Sequence, residues 1–137
     1  MAINIENYNP LHDDNCEEYV LGTILSMKNA IDETRDILDE DCFYNIKHQK
    51  IYKAIKELDD KGDDINIISI MPILIKNGEN ISPIEIVGIS NHVFLREIYQ
   101  YAIRLSELSQ KRKIYEMGYY LMQSSSSEVD DVSEILS

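Results

Sequence analysis

The stretch 65-INIISIMPILIKNG-78 decides whether this chain is built of strands or of helices. Its isoleucines favour a strand, but Pro72 cannot donate to a sheet ladder and argues against a central one. A helix accommodates the proline better. With Ser69 as N-cap, Pro72 falls at N3, inside the first turn where backbone N–H groups have no intrahelical partner. The expected helix runs from Ile70 to Asn77 and stops before Gly78.

The same punctuation recurs on both sides. Downstream, "SPIE" opens a helix with Ser82 as cap, Pro83 at N1 and Glu85 at N3. Upstream, the third helix spans about Lys47 to Lys61, with Ile51, Ile55 and Leu58 on one face and Gly62 as its stop. A second helix fits Ala30 to Leu38, ended by the acidic "DEDCFY" turn. The first starts at Asp14, paired with Glu17 as a capping box, and buries Cys16, Val20, Ile24 and Met27 beside Leu21 and Leu25. It carries Gly22, which costs about 1 kcal/mol against alanine in a helix interior. A glycine there marks close approach of a neighbour, for which the rings of Phe43, Tyr44 and Tyr52 are the candidates.

The last long helix, roughly residues 94–123, places Ile98, Tyr101, Leu105, Leu108, Tyr115, Tyr119 and Met122 three and four apart, interrupted by Arg112. A seam of this length exceeds the need of one small domain. It is expected to serve, at least in part, as an oligomer contact. After it, "SSSSEVDDVSEILS" breaks the helix and begins an acidic amphipathic stretch, as expected of a chain continuing into a second arm or linker. The expected architecture is all-α: a lead at 1–13 without fixed structure, a globule of about five helices at 14–93, and a helical arm at 94–137.

Composition narrows the function. The 137 residues carry a net charge of −12, spread unevenly. Residues 1–93 hold 8 Lys and Arg against 18 Asp and Glu, residues 94–123 hold 5 against 3, and the remainder 0 against 4. Phosphate binding needs Lys and Arg, so strong contact with nucleic acid is not expected, and a protein partner fits better. No apolar run is long enough for a membrane span and no basic leader precedes an apolar core, so the expected location is the cytoplasm. Cys16 and Cys42 lack a metal-ligand spacing and read as small core residues. His12, His48 and His92 are isolated from one another, and His48 reads as a structural histidine. The "DDKGDD" run at 59–64 lacks the residue order of a calcium loop and reads as a solvated helix end. No Gly-rich phosphate loop or His-x-x-x-His pair occurs in the sequence, so no catalytic, metal or cofactor residue is expected.

Four segments, "EEYVLGTIL", "CFYNIKHQKIYKAIKEL", "GDDINIIS" and "YQYAIRLSELSQKRKI", together resemble the N-terminal domain of bacterial replicative DNA helicases of the DnaB type in order and spacing. The residues carrying the pattern are Glu17, Leu21, Gly22, Phe43, Tyr44, His48, Ile51 and Tyr52, then Tyr101, Ala102, Leu105, Glu107, Ser109 and Arg112. Asn66 and Pro72 depart from it, standing where the family usually has an aspartate and a glutamate. Pro72 is expected to keep the helix start by fixing φ.

The resemblance implies a non-catalytic domain, with ATP and magnesium used by a motor domain outside this sequence. It implies pairing of such domains through helical hairpins into the collar of a hexamer, of which residues 94–123 match the first arm. It also implies docking of the C-terminal domain of primase and leaves room for a helicase loader. Lys113 and Tyr120 lie off the seam and are the candidate contacts, on an arm that alone combines basic and aromatic side chains, arginine and tyrosine being the types enriched at binding hot spots. Two rival readings are a stand-alone acidic adaptor and the helicase-binding domain of primase, which shares the helical architecture. A hydrolase using paired carboxylates is the weakest, for want of a positioned nucleophile and base.

One expectation follows from charge alone. Fluorescence anisotropy with labelled single-stranded DNA at physiological salt should show no micromolar binding, and a micromolar complex would contradict it.

Overall fold

A computed structural model describes residues 11–91 and 97–126. Among them are five α-helices and no strand: α1 (Asp14–Ser26), α2 (Ile46–Lys61), α3 (Ile67–Lys76), α4 (Pro83–Ser90) and α5 (Ile98–Ser126). Two short 3₁₀ turns, Ala30–Glu33 and Glu40–Cys42, lie between α1 and α2. Contacts divide the chain into a unit of residues His12–Ser109 and a unit of Met1–Leu11 with Gln110–Ser137. The first is described here.

The starts of α1 to α4 each show a local chemical reason. Ser82 accepts from the Glu85 amide and Pro83 takes the first turn of α4, as the sequence predicts. Gly62 and Gly78 both take positive φ after their helices, a conformation glycine adopts without a Cβ penalty. Other boundaries shift. The cap of α1 is Asp13, whose side chain accepts from Cys16, so Glu17 is released from the expected capping box. The cap of α3 is Asn66, which forms a reciprocal capping box with Ser69.

That box corrects the proline's position. Pro72 lies deeper in α3 than the N3 site expected of it and plays no part in the helix start. It is exposed, on the helix's outer side, where water can serve the carbonyl that a proline leaves without a donor. The expected helix from Ala30 to Leu38 is also absent as such: it is one 3₁₀ turn followed by further turns. Thr34 turns its hydroxyl back onto the Ile31 carbonyl there, a local bond that competes with helix continuation. Arg35 grips both carboxylate oxygens of Asp59 at 2.7 Å and holds this loop to the end of α2.

The core joins α1, α2, α3, α4 and the start of α5. Val20, Leu21, Ile24, Phe43, Ile51, Tyr52, Ile55, Ile70, Leu74, Ile86, Ile98 and Leu105 are all but sealed from solvent. Phe43 and Tyr52 pack ring against ring at 5.1 Å, and the Tyr52 hydroxyl donates to the Leu38 carbonyl at 3.2 Å. Gly22 is buried in α1. Of the three candidate rings, Tyr44 faces outward and stacks on His12 at 4.3 Å. This contact also gives part of the expected lead a place; residues 1–10 lie outside the described set. Both cysteines are buried thiols, and neither is in a disulfide. Burial pushes the Cys16 thiol up to about 12, which makes it unreactive at neutral pH.

Inside this core sits one fully buried carboxylate, Glu17. It accepts from the Tyr44 amide at 2.9 Å, the Asn45 amide at 3.2 Å and His48 Nδ1 at 2.8 Å. Asn45 is the N-cap of α2 and His48 its N3 residue, so Glu17 completes from α1 a cap that helices usually make within themselves. The negative charge also lies at the positive end of the α2 dipole. His48 is thus buried and held through Nδ1 at the start of α2.

Replacing Glu17 with alanine leaves two buried amides and a buried imidazole unpaired and should cost about 3 kcal/mol or more. Urea unfolding followed by circular dichroism measures it, and a loss within about 0.5 kcal/mol, typical of surface sites, would contradict the role. The Arg35 pair predicts a pH dependence. Hydrogen bonds from Arg35 hold the Asp59 carboxyl below the usual carboxylate range, against the upward push of burial. A carboxyl depressed on folding stabilises above its unfolded value and loses that contribution as pH falls through the folded one. The gap in urea midpoint between wild type and Arg35→Met should thus be open at pH near 6 and close as pH falls well below about 4. A gap that is constant with pH would contradict the pairing.

Candidate assembly surface

Helix α5 is where the sequence places its oligomer seam. In the unit of residues 12–109 its buried side chains are Ile98, Ala102, Leu105 and Ser109, four, three and four apart. That is a heptad spacing, directed into the chain's own core. Ser109 donates to the Asp41 carbonyl at 2.9 Å, the Cys16 thiol reaches the Tyr101 carbonyl at 3.4 Å, and Arg104 meets Asp13 at 2.9 Å. Two residues of the predicted seam, Ile98 and Leu105, are thus internal. Tyr101 packs half-buried against the core, beside Tyr19, and Leu108 is half-buried on the flank. The start of the predicted helix at 94–96 and the tail from 127 lie outside the described residues.

In the other unit, Arg112 continues the buried spacing and donates from Nη1 to the Leu11 carbonyl at 2.6 Å. A guanidinium is the cation best suited to such a place, being planar and weakly hydrated. Beyond it the character of α5 changes. Ile114 is 70% exposed, Met117 63% and Tyr120 64%, and Tyr119, Leu121 and Met122 are also exposed. Tyr115 is half-buried and Lys113 exposed. The Gln123 amide donates to the Tyr119 hydroxyl at 2.7 Å.

These side chains project on more than one side of the helix. Tyr115, Tyr119 and Met122 form the predicted line, and Ile114, Met117 and Leu121 form a second, spaced three and four apart. The second line was legible in the sequence by the same periodicity, but the first was the longer run. Exposed apolar side chains on several sides of one helix are unusual, because patches of this kind are rare on free monomers.

Other sequence-marked residues fall elsewhere. Glu17, Tyr44 and His48 meet at the start of α2, while Leu21, Gly22 and Phe43 are core. Among the described residues no group of three or more His, Cys, Asp or Glu is placed to hold a metal ion. None of their helices is long and apolar enough to cross a membrane.

Comparison with known proteins gives this geometry its context. The profile of the DnaB-like helicase N terminal domain matches residues 9–107. The replicative DNA helicase DnaC of Bacillus subtilis (strain 168) is 28% identical over 132 residues, which cover 93% of this chain and 29% of the relative. This chain thus spans less than a third of that relative's length. The crystal structure of the N-terminal domain of DnaB helicase from Mycobacterium tuberculosis superposes with a TM-score of 0.81 at 25% identity, covering 85% of this chain and 86% of that one. A DnaB-like replicative helicase, solved in a study of its interactions with primase, superposes with a TM-score of 0.69 at 26% identity, covering 81% of this chain and 27% of that one.

The two parts of α5 should respond differently to charge. Leu105→Glu buries an unpaired carboxylate in the core and should cost several kcal/mol, whereas Met117→Glu, at an exposed site, should change stability by less than about 0.5 kcal/mol at concentrations where the chain is monomeric. Thermal melts read by circular dichroism compare them. Equal losses would contradict the division.

Proposed function

Because this chain belongs to the DnaB-like helicase N-terminal domain family, we propose that it is the non-catalytic assembly and docking domain of a replicative DNA helicase. In this reading it pairs with a second copy through α5, contributes to the collar of a hexamer, and docks the C-terminal region of primase during DNA replication. ATP binding and hydrolysis, with magnesium, belong to a motor domain encoded elsewhere in the parent protein. The setting is the cytoplasm.

The observation that carries the reading is the apolar surface of α5 from Ile114 to Met122. Covering it with the same surface of a second copy makes a self-complementary, twofold contact, the commonest route to a homodimer. A ring of dimers then needs only a further contact between pairs. Primase as partner draws support from the neighbour studied with primase, which superposes on most of this chain. The location draws support from residue chemistry: Lys113 and Tyr120 stand side by side with the apolar lines, exposed, on an otherwise acidic chain. A helicase loader is a further partner compatible with the same surface.

Sedimentation equilibrium tests the assembly. The 137-residue chain should dimerise, and Met117→Glu combined with Leu121→Glu should return it to monomer, because charges in an apolar contact cost several kcal/mol. A wild type that stays monomeric at every concentration would refute pairing through α5. Titration calorimetry with the C-terminal region of the cognate primase tests the docking, with Tyr120→Ala and Lys113→Glu each expected to weaken binding by about 1 kcal/mol or more. Unchanged affinity in both variants refutes the location, and no binding by wild type refutes the partner.

A further inference from the structure

Asn77 and Gly78 form the sole asparagine–glycine step in the sequence. They close α3: Asn77 is its C-cap, at φ −79° and ψ 0°, and Gly78 follows at φ +72°. The Gly78 amide donates to the Ile75 carbonyl at 3.0 Å and the Glu79 amide to the Leu74 carbonyl at 2.9 Å, the paired bonds of a Schellman cap. Helix α2 grips this cap from outside. Asn77 Nδ2 donates to Glu57 Oε1 at 3.1 Å, Lys76 meets the other oxygen of that carboxylate at 3.4 Å, and Lys50 pairs with Glu79 at 2.8 Å. A carboxylate only accepts, so the nitrogen and not the oxygen of the Asn77 amide faces Glu57.

An asparagine before glycine is chemically labile, because no Cβ on the following residue hinders approach of its amide nitrogen to the asparagine side chain. The Gly78 nitrogen, giving its proton to water, bonds to Asn77 Cγ; the Cγ–Nδ2 bond breaks, and ammonia leaves with a proton. Water then adds to either carbonyl of the five-membered imide, and the ring C–N bond at that carbonyl opens. One opening gives aspartate. The other gives isoaspartate, whose main chain runs through the former side chain and is one methylene longer. Both residues are exposed, so water reaches them, yet in the folded chain the attacking nitrogen is bonded to Ile75 and the departing one to Glu57.

We propose that Asn77 is a site of spontaneous conversion to aspartate and isoaspartate, and that the hold of α2 on the α3 cap sets its rate. Ring closure requires rotation about the Asn77 Cα–C bond, which breaks the bonds from Gly78 to Ile75, from Glu79 to Leu74 and from Asn77 to Glu57 together. The reactive geometry therefore belongs to a locally opened cap and not to the native one. Conversion also undoes the hold. It sets a second carboxylate against Glu57 where an amide had donated, and in isoaspartate the longer main chain displaces the Schellman donors. The end of α3 is released from α2. This chemistry stands apart from assembly and docking and does not rest on them.

The test incubates the 137-residue chain and a blocked peptide of residues 73–79 in heavy-oxygen water at mildly alkaline pH, with mass spectrometry following residue 77. Isoaspartate carrying one heavy oxygen should form in both, and more slowly in the folded chain by a factor on the order of a hundred, since each lost hydrogen bond shifts an opening equilibrium roughly fivefold. Glu57→Ala removes one of those bonds and should speed conversion roughly fivefold with an unchanged circular dichroism spectrum. Ile98→Val, which weakens the fold through α5, should leave the rate as it is. The product's effect is read separately: the bond from Asn77 is the chief cause holding the Glu57 carboxyl below its usual range, so in Asn77→Asp it should titrate at higher pH. The proposal is overturned by absence of isoaspartate at residue 77 in the folded chain, by equal rates in chain and peptide, or by a rate unchanged in Glu57→Ala. It is overturned equally by Ile98→Val matching Glu57→Ala, which would assign conversion to global unfolding, or by a Glu57 titration unchanged in Asn77→Asp.

Discussion

The fold turns on a carboxylate placed where water cannot reach it. Glu17 has no exposed surface, and a buried ion of this kind is tolerated only when all its acceptor capacity is used. Its three partners come from the entry into α2, so satisfying the charge fixes where α2 begins and how α1 lies against it. Everything packed on that corner inherits the arrangement. Phe43 enters the core immediately before α2, Tyr52 meets it from within α2, and α4 is tied back through Lys47 and Glu85. The surface ion pairs around this corner add little individually, at most about 1 kcal/mol each. The Glu17 contacts set position, and apolar burial supplies most of the stability.

The helix starts and stops were legible because capping chemistry is local. Ser82 with Pro83, Gly62 and Gly78 act where the sequence places them. Around Pro72 the same rules allowed two registers, since both Asn66 and Ser69 are good N-caps, and the reciprocal bond between them settled the matter in favour of the earlier one. Residues 30–38 misled for a different reason. Their apolar spacing fits a helix, but Thr34 and Arg35 bond to Ile31 and Asp59, and neither partner is visible from periodicity.

Glu17 itself could be marked as part of a family pattern but not given a role, because its partners lie 27 to 31 positions away. Along α5 the difficulty was chemical. In the unit of residues 12–109 the internal seam is made by Ile98, Ala102, Leu105 and Ser109, and a count of large apolar residues passes over a small one and a hydroxyl. It selects Tyr101 and Leu108, one position away, instead. The later part of the helix carries no such ambiguity: Ile114, Met117, Tyr119, Tyr120, Leu121 and Met122 are apolar or aromatic and exposed. One helix thus holds two kinds of surface, one that completes a core and one suited to joining another chain, and family membership supports the second use.

Hydrogen exchange followed by mass spectrometry at low and high protein concentration examines that division directly. Amides of residues 114–122 should become more protected as concentration rises, while those of α1, α2 and α4 stay unchanged. Protection that is independent of concentration along 114–122, or that rises instead on the globular helices, would contradict assignment of the assembly surface to the later part of α5.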